Sequence, residues 1–326
     1  MDRLEAMAVL TAVVETGSFS AASRKLGAPL PTVSRKGAEL EAHLNTRLLV
    51  RSTRKLTLTD AGAAYVAACK RILEEVDEAE RAASGEFSAP RGDLVVTAPI
   101  VFGRLHVLPT VNEFIAQYPE INVRLLLSDR NVHLIDDHID LAVRIGPLAD
   151  SSFVATRVGA VRRVVCASPD YLAGVGMPRV PEDLSSLACI AFDSGASPAT
   201  WTFTDPDSRA KYAVPLHVRL AVNTAEPAID AAVAGVGVTR VFSYQAAQAV
   251  AAKRLKIVLV KYEPEPLPIH VLHIGQGLLP LKTRAFIDFA ALRIRDSAAK
   301  AAAMATRKGG LSRFSPLDAP LSPRLR

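Results

Sequence analysis

The sequence predicts an α/β protein in which a mostly helical N-terminal module precedes a larger region of alternating strands and helices. Three observations indicate this fold class. Residues 17–62 contain two short helical segments joined by a corner and followed by two short apolar runs. Residues 92–296 alternate between apolar, strand-like runs and helical patterns. The charge is also uneven, because residues 1–62 carry nine basic and six acidic side chains whereas residues 63–296 carry 24 and 26.

The centre of the N-terminal module is a pair of short helices. The first is predicted at Phe19–Leu26, with Ser18 as its N-terminal cap and Gly27 at its end. A corner that contains two prolines, residues 28–31, leads into a second helix over residues 32–44. Two helices joined in this way form a helix-turn-helix, whose second helix can enter the major groove of DNA.

The residues around this corner are candidates for contact with DNA. In the second helix Val33, Leu40 and Leu44 would face the core, which leaves the polar side chains of its first turns for bases and phosphates. Residues 47–58 read as a basic hairpin, a wing that can lie over the phosphate backbone or the minor groove. An ordinary solvated helical hairpin with scattered basic residues is the alternative. The predicted DNA-binding residues are Ser18, Pro31, Thr32, Ser34, Arg35, Lys36, Arg51 and Arg54.

A helix over residues 2–15 is expected to supply the core beneath the helix-turn-helix. Its apolar side chains recur at helical spacing, and those expected on the buried side are Leu4, Met7, Leu10, Val13 and Val14. With this helix, the N-terminal domain is predicted to span residues 1–58.

A long helix is predicted from the cap candidate Thr59 to about Ser84. Its small and apolar residues alternate in spacings of three and four, which is the period of a coiled coil. The pattern therefore predicts a helix that pairs two copies of the chain, and a helix packed on its own domain is the alternative. The residues of this stripe are Gly62, Tyr65, Cys69, Ile72, Val76, Ala79 and Ala83.

The region after the linker at residues 85–92 is predicted to form βαβ units and hence a mainly parallel sheet. Strands are expected at residues 94–97, 121–127, 141–145, 161–167, 188–192, 201–203, 216–222, after 237, at 256–260 and at 269–274. Helices are expected at residues 102–118, from 169, at 226–234 and at 280–294.

Length and composition exclude several classes of protein. A chain of 326 residues with 49% hydrophobic content is long enough for two or three packed domains. It has no run of 18 apolar residues, so no membrane span is expected, and its N-terminus lacks the pattern of a secretory signal. The three cysteines, Cys69, Cys166 and Cys189, are far apart and indicate reduced thiols in the cytoplasm.

Many residues of the N-terminal module match a known family in register. The module resembles the DNA-binding domain of the LysR-type transcriptional regulators at residues 4–14, 17–22, 26–27, 33–35, 40–41, 48–49, 51–54 and 58–62. The later region resembles the effector domain of the same family at residues 92–96, 108–109, 114, 118–119, 140–146, 166–172 and 231–237.

The resemblance implies a winged helix-turn-helix, a linker and dimerisation helix with a hinge at residues 59–91, and an effector-binding domain at residues 92–296. That domain would be like a periplasmic binding protein, with two α/β subdomains that the chain crosses near residues 166–168 and near residues 262–268. Residues 297–326 lie outside the resemblance. They carry six basic residues and one acidic residue at low complexity, and are expected to be a disordered basic tail.

The chain departs from the family pattern at three positions of the helix-turn-helix. Pro29 and Leu30 stand where the family commonly has a serine cap and a glutamine, and Leu30 cannot donate a hydrogen bond to a base edge. Gly37 stands where the family usually has isoleucine or valine. A glycine inside a helix costs about 0.5–1 kcal/mol relative to alanine, and a cavity is expected to add to that cost.

The ends of the predicted strands indicate a ligand site. Open α/β sheets bind ligands at the carboxyl ends of their strands, where helix N-termini offer free N–H groups and favour anions. A small anionic metabolite is the expected effector, and simple capping of the following helix is the alternative for each residue. By resemblance, the residues that line the pocket are Thr97, Ala98, Pro99, Ser128, Gly146, Asn223 and Thr224.

No other pattern points to catalysis or to a cofactor. His133, Asp136, Asp137 and His138 are ligand types for zinc, but a polar helix end is the preferred interpretation. His270 and His273 would lie on opposite faces of a strand. The sequence has no nucleophile elbow, P-loop or G-x-G-x-x-G, so no catalytic residue, metal or cofactor is predicted.

The sequence therefore predicts a cytoplasmic, ligand-responsive regulator of transcription that binds double-stranded operator DNA and does not associate with a membrane. The family resemblance implies a homodimer through residues 59–84 and a homotetramer built as a dimer of dimers. A solute-binding protein of the same effector fold, without a role on DNA, is the alternative. An enzyme is the third possibility.

Overall fold

The computed structural model describes residues 2–51, 56–84, 89–130, 139–148, 153–192, 200–275 and 279–306. The chain divides into two compact units, Met1–Gly92 and Asp93–Arg326. The first unit is mostly helical, and the second combines sheets and helices.

The first unit contains four helices and a two-stranded hairpin. In chain order these elements are α1 (Arg3–Thr16), α2 (Phe19–Leu26), α3 (Leu30–Leu44), β1 (Leu49–Arg51), β2 (Leu56–Leu58) and α4 (Asp60–Ser84). Side chains cap three of the helices, as the Asp2 carboxylate accepts from the Glu5 N–H, the Ser18 hydroxyl from Ala21 and the Thr59 hydroxyl from Gly62.

The core of the first unit lies where α1 meets the other three helices. Its fully or nearly fully buried members include Val13, Val33, Leu40 and Cys69. The expectation that Leu4 is buried is wrong, because 41% of Leu4 is exposed. The buried stripe of α1 runs instead through Ala6, Val9, Leu10, Ala12 and Val13.

Helix α3 begins at Leu30, two residues before the predicted start at residue 32. Pro31 is accommodated because the first-turn N–H groups of a helix have no partner inside it. The N–H groups of Thr32 and Val33 both donate to the carbonyl oxygen of Pro29, which extends the helix to the corner. No side chain caps this helix.

The second unit contains two five-stranded sheets. The first sheet has the order β4-β3-β5-β14-β6 and the second has the order β11-β8-β12-β7-β13. The strands are β3 (Gly92–Ala98), β4 (Ile121–Leu127), β5 (Leu141–Ile145), β6 (Phe153–Val161), β7 (Arg163–Ala167), β8 (Ala188–Phe192), β9 (Thr200–Thr204), β10 (Lys211–Pro215), β11 (His217–Val222), β12 (Val238–Phe242), β13 (Lys256–Val258) and β14 (Leu267–Ile274).

Helices cover these sheets. They are α5 (Ile100–Phe102), which continues through a π-helical turn at Gly103–Val107 into α6 (Leu108–Gln117), then α7 (Pro169–Val175), α8 (Ala225–Val233), α9 (Ser243–Ala251) and α10 (Leu281–Thr306). Two 3₁₀ turns lie at Pro181–Ser186 and Val260–Tyr262, and β9 and β10 form a separate antiparallel hairpin.

The sheets are mixed, so the prediction of a mainly parallel sheet is wrong in this respect. Strands β8, β11 and β12 run parallel, as do β3 and β5. Strands β7, β13 and β14 pair antiparallel to their neighbours. The reason is the path of the chain, because β7 and β14 enter their sheets directly from the other sheet and not through a βαβ crossover.

The chain passes between the two sheets twice. The first passage is at Arg162, between β6 and β7, and not at residues 166–168 as expected, where β7 already ends. The second lies between Val258 and Leu267, which overlaps most of the expected residues 262–268. The two sheets and their helices form the two α/β subdomains of the second unit.

Helix α10 ends at Thr306, so the expectation of a disordered tail from residue 297 is wrong for residues 297–306. Ala298 is 7% exposed and packs in the main core with Val158 and Ile269, which explains why the helix continues past residue 296. Residues 307–326 lie outside the described residues.

Within the described part of the chain, no single helix is long and apolar enough to cross a membrane. The pair α1 and α2, bent by 120°, meets the criterion by length and composition alone.

Candidate functional site

The exposed side of α3 carries the predicted base-reading residues. Val33, Gly37 and Leu40 are buried, which leaves Thr32 and Ser34 partly exposed and the Arg35 side chain 62% exposed. Arg35 pairs with Glu39 one turn later, with 2.6 Å between Nη1 and Oε1.

Lys36 has a different environment from Arg35. Its ammonium forms an ion pair with Glu5 of α1, and only 14% of its side chain is exposed. At the start of the helix, Leu30 is 42% exposed and Pro31 is also exposed. The Ser18 hydroxyl is used in the cap of α2. The accessible first turns of α3 are therefore apolar at their start and cationic at Arg35.

The hairpin after α3 is fixed to the helix by one carboxylate. Glu41 Oε1 accepts the backbone N–H groups of Leu48 at 2.8 Å and of Leu49 at 2.9 Å. Strands β1 and β2 then pair antiparallel, with Arg51 opposite Leu56. Arg54 lies outside the described residues. No sequence pattern indicated this role of Glu41.

The coiled-coil stripe of α4 is divided between two environments. Gly62 and Cys69 are buried in the first unit, and an added Cβ on Gly62 would lie 2.0 Å from the Leu48 carbonyl oxygen. Farther along, Ile72 is 38% exposed and Ala79 is exposed. The first half of the stripe therefore packs on its own domain, and Ile72 and Ala79 beyond it are accessible.

Thr97 and Ala98, predicted to line the effector pocket, are fully buried. The Thr97 hydroxyl donates to the carbonyl oxygen of Leu126 at 3.0 Å and so joins β3 to β4. Neither residue presents a free polar group to a ligand. Pro99 precedes α5 and is partly exposed.

Ser128 and Asp129 lie beside the start of α5. The Ser128 N–H donates to Ala98, and its hydroxyl accepts from the Arg130 N–H at 3.2 Å. Asp129 Oδ1 accepts from the Ile100 N–H at 3.0 Å, so this carboxylate serves the first turn after Pro99. The partly exposed Ser128 is the accessible hydroxyl at this strand end.

The remaining predicted residues lie at two other strand ends. Gly146 has φ of +120°, which favours glycine, and its N–H donates to the Pro268 carbonyl oxygen. Asn223 is exposed, and Thr224 precedes α8 without a capping hydrogen bond from its side chain. The alternative that Thr224 simply caps α8 is therefore wrong.

An ion pair that sequence reasoning missed joins the two subdomains. Arg104 Nη2 in the π-helical turn lies 2.6 Å from Glu226 Oε1 in the first turn of α8, and about half of each side chain is exposed. The two residues are 122 positions apart, so no local spacing could have indicated this contact.

A buried aromatic cluster includes residues of the same helical segment as Arg104. The ring centroids of Phe102 and Tyr244 are 5.3 Å apart, and those of His106 and Tyr244 are 5.6 Å apart. His106 Nδ1 lies 2.8 Å from Ser297 Oγ, and burial lowers the pKa of His106 to about 4. Burial also raises the pKa of the Tyr244 phenol. These groups connect the first subdomain to α9 and α10.

The described residues contain no group of three or more His, Cys, Asp or Glu side chains that could hold a metal ion. The segment with His133, Asp136, Asp137 and His138 lies outside the described residues.

Two family models match the chain. Residues 4–63 match a family described as bacterial regulatory helix-turn-helix protein, lysR family. Residues 88–293 match a family described as LysR substrate binding domain.

Curated relatives share most of their length with this chain. The HTH-type transcriptional repressor PA14_22550 of Pseudomonas aeruginosa (strain UCBPP-PA14) is 35% identical over 89% of this chain and 91% of its own length. The HTH-type transcriptional activator AaeR of Escherichia coli (strain K12) is 31% identical over 88% of this chain and 93% of its own.

Two solved structures resemble most of this chain. The full-length structure of the Vibrio cholerae virulence activator AphB has a TM-score of 0.56 at 28% identity, covering 88% of this chain and 98% of that one. CrgA, a LysR-type transcriptional regulator from Neisseria meningitidis, also has a TM-score of 0.56, at 30% identity over 89% of this chain and 98% of its own. The two family matches and these relatives show that the chain belongs to the LysR-type transcriptional regulators, which are DNA-binding proteins with an effector-binding domain and not enzymes.

Proposed function

We propose that this regulator acts in the cytoplasm, that α3 and the wing recognise its operator, and that a small anionic metabolite bound between the subdomains controls it. The observation that supports operator reading best is the exposed side of α3. Thr32, Ser34 and Arg35 are accessible there, while Val33 and Leu40 of the same turns are buried.

Arg35 is the residue that discriminates between bases in this proposal. Its pair with Glu39 is an exposed i,i+4 contact worth about 0.3–0.5 kcal/mol. A bidentate contact of arginine with guanine is worth about 1–3 kcal/mol of discrimination. The interaction free energy of Arg35 is therefore more favourable with a guanine than with Glu39. Lys36, held by Glu5, contributes mainly positive charge near the phosphates.

A competition assay tests this role with the DNA that flanks the protein's own gene. After footprinting locates the bound site, wild type and Arg35→Ala are compared for their preference of that site over random DNA. The preference should fall about tenfold or more. The matched control is Arg124→Ala, which removes an exposed arginine of β4 in the effector domain. An unchanged preference in the Arg35 variant would reject the assignment.

The effector is proposed to contact Ser128, Asn223 and Thr224. Ser128 is partly exposed, Asn223 is exposed, and Thr224 does not spend its side chain on capping α8. The proposed pocket also includes four residues that would contribute their backbone rather than a polar side chain, namely Thr97, Ala98, Pro99 and Gly146. Arg104 lies close to Thr224 through its ion pair with Glu226. An anionic ligand could replace Glu226 as the partner of this guanidinium.

A panel of small carboxylic acids screened by thermal shift on the full chain tests the effector site. An acid that stabilises the wild type should bind Ser128→Ala and Asn223→Ala at least several-fold more weakly by calorimetry, because each variant loses a hydrogen bond worth about 1 kcal/mol. Ser208→Ala, an exposed serine beside the β9–β10 hairpin, is the control and should bind as wild type does. Equal affinities for all variants would place the ligand elsewhere.

The oligomer is proposed to be a homotetramer whose dimers form through α4. Its accessible residues Ile72 and Ala79 continue the stripe that packs at Cys69 on the first domain. Ile72→Asp would place a carboxylate in the seam, where burial without a partner is costly. Sedimentation should then show dissociation, whereas Arg71→Asp on an exposed neighbouring position should keep the wild-type mass. Retention of that mass by both variants would exclude α4 as the seam.

A further inference from the structure

Three positively charged or titratable side chains form a row across the first sheet of the second unit. His270 on β14 lies directly opposite Arg144 on β5 and opposite Arg157 on β6. Directly opposed residues on antiparallel strands have Cα atoms about 4.5–5.5 Å apart, so the three side chains are neighbours. Arg144 and His270 are partly buried, and Arg157 is exposed on the edge strand β6.

Two polar atoms at the centre of this row have no hydrogen-bond partner among the described residues. Arg144 Nη2 and His270 Nδ1 are both inaccessible to solvent and make no hydrogen bond. A buried donor that is left unpaired destabilises the folded state, and the cost is larger when the donor is charged. Because most buried polar groups in native structures are hydrogen-bonded, a bound group is expected at these two atoms.

The three strands that carry the row supply no carboxylate partner. Strands β5, β6 and β14 carry no aspartate or glutamate. Burial is the cause that lowers the pKa of Arg144. Burial, and then the charge of Arg157, lower the pKa of His270. Four arginines elsewhere in this unit have carboxylate partners, namely Arg104 with Glu226, Arg162 with Glu263, Arg209 with Glu265 and Arg293 with Glu113.

We propose that Arg144, His270 and Arg157 form a binding site for a small oxyanion, either inorganic phosphate or sulfate or the carboxylate of a metabolite. Arg144 supplies the buried guanidinium, which can hold two oxygens of such a group side by side. His270 donates a hydrogen bond from Nδ1 in the matching tautomer, and Arg157 attracts the anion at the open edge of the sheet. The polar side chains of the proposed effector site, Ser128, Asn223 and Thr224, lie on none of these strands, although Gly146 of that site directly follows β5. The two sites therefore differ in the side chains that would contact a ligand.

Thermal unfolding of the full chain in phosphate, sulfate or acetate, at constant ionic strength set with sodium chloride, tests the proposal. A specific site gives a saturable rise in the midpoint, about 5–10 °C at a hundredfold excess over Kd. A rise in the midpoint with phosphate or sulfate would identify the ligand as a free inorganic ion. A rise with acetate alone would identify it as the carboxylate of a metabolite. No rise with any of the three anions would overturn the proposal.

Substitutions test whether the rise in the thermal midpoint depends on Arg144, His270 and Arg157. Arg144→Gln and His270→Gln should abolish it, Arg157→Gln should weaken it, and Arg124→Gln on β4 of the same sheet should keep it. Ser128→Ala should also keep it, which separates this site from the effector site. A rise of equal size in all variants would show a nonspecific salt effect and reject the site.

The substitution Arg144→Gln could lose the rise simply because it disturbs the fold. The thermal midpoint of Arg144→Met provides a second test that does not depend on added anions. In buffer without oxyanions, Arg144→Met should leave the midpoint unchanged or raise it, because it removes a buried charge that lacks a partner. If a carboxylate of the chain normally holds Arg144, the same substitution breaks a buried ion pair and lowers the midpoint. That outcome would overturn the proposal, even if phosphate stabilises the wild type.

Discussion

The ring of Phe19 lies against the backbone of Gly37, with Cε1 3.3 Å from the position that a Cβ would occupy on the glycine. Gly37 is buried in α3, and Phe19 begins α2. The expected cavity at this position is therefore absent, because the aromatic ring occupies the space of the missing side chain. The glycine and the phenylalanine together set how closely the two helices of the DNA-binding motif approach.

Gly37→Val should destabilise the first unit by about 1–3 kcal/mol, since the added methyl groups overlap the Phe19 ring. The helical gain on replacing glycine, about 0.5–1 kcal/mol, does not offset this overlap. Urea unfolding would measure the change. Gly174→Ala in α7, where nothing lies within 4 Å of the added Cβ, is the control and should not destabilise.

The double variant Phe19→Ala with Gly37→Val tests the cause. Removing the ring makes room for the valine, so the double variant should be more stable than the sum of the two single changes predicts. Strict additivity of the two effects would show that the contact does not limit this position.

Glu41 is predicted to control the placement of the wing. Glu41→Ala leaves the N–H groups of Leu48 and Leu49 without their acceptor, which should cost about 1–3 kcal/mol. Binding to all DNA should also weaken, because β1 carries Arg51. The measurements are urea unfolding and a titration with random DNA. Glu39→Ala, which removes only an exposed partner of Arg35, should change stability by less than about 0.5 kcal/mol.

Local patterns predicted much of the fold because their signals lie within a few residues. Ser18 and Gly27 bound α2 as expected, and the predicted strands Ile121–Leu127 and Ala188–Phe192 match the structure. Helix α9 was missed, because its buried residues are mostly alanines and give no distinct apolar stripe. The long antiparallel strand β6 was missed for most of its length, since its apolar residues do not alternate regularly and only two of its nine residues are buried.

The sites were less predictable because their contacts join distant parts of the chain. His106 and Ser297 are 191 positions apart, and Glu41 meets the wing seven and eight residues later. Spacing cannot indicate such contacts. The burial of Thr97 likewise depends on its hydrogen bond to β4, which only the packed sheet provides.

The buried His106 should make the second unit sensitive to acid. Its pKa is lowered from 6.5 to about 4 in the folded state, so the unfolded chain binds a proton between these values and the folded chain does not. Stability should therefore fall as the pH decreases from about 6.5 to 4, by about 3 kcal/mol for this group alone. Above pH 6.5 this group should add no pH dependence.

Urea unfolding of wild type and His106→Gln at several pH values measures this contribution. Carboxylates titrate in the same range, so the informative quantity is the difference between the two proteins, which should shrink as the pH falls. The control is His217→Gln, because His217 is exposed on β11. A pH-independent difference between His106→Gln and wild type would contradict the prediction.

The packing at the end of α10 predicts that two truncations differ in their effect on stability. Removal of residues 297–326 takes away the Ser297 hydroxyl that lies 2.8 Å from His106 and the buried Ala298. His106 then loses its partner at Nδ1. The Ala298 Cβ, which lies 4.0 Å from the position that a Cβ would occupy on Gly159, no longer covers that glycine. This truncation should lower the free energy of unfolding by about 1–3 kcal/mol.

Removal of residues 307–326 alone should leave that free energy unchanged, because this deletion keeps Ser297 and the buried Ala298. These residues carry five basic side chains and one acidic side chain, so they can neutralise phosphates and release counterions. Operator titrations at several salt concentrations should therefore give a shallower slope for this shorter deletion. An identical slope would give residues 307–326 no role on DNA, and equal stability of the two truncations would contradict the packing of Ser297 and Ala298.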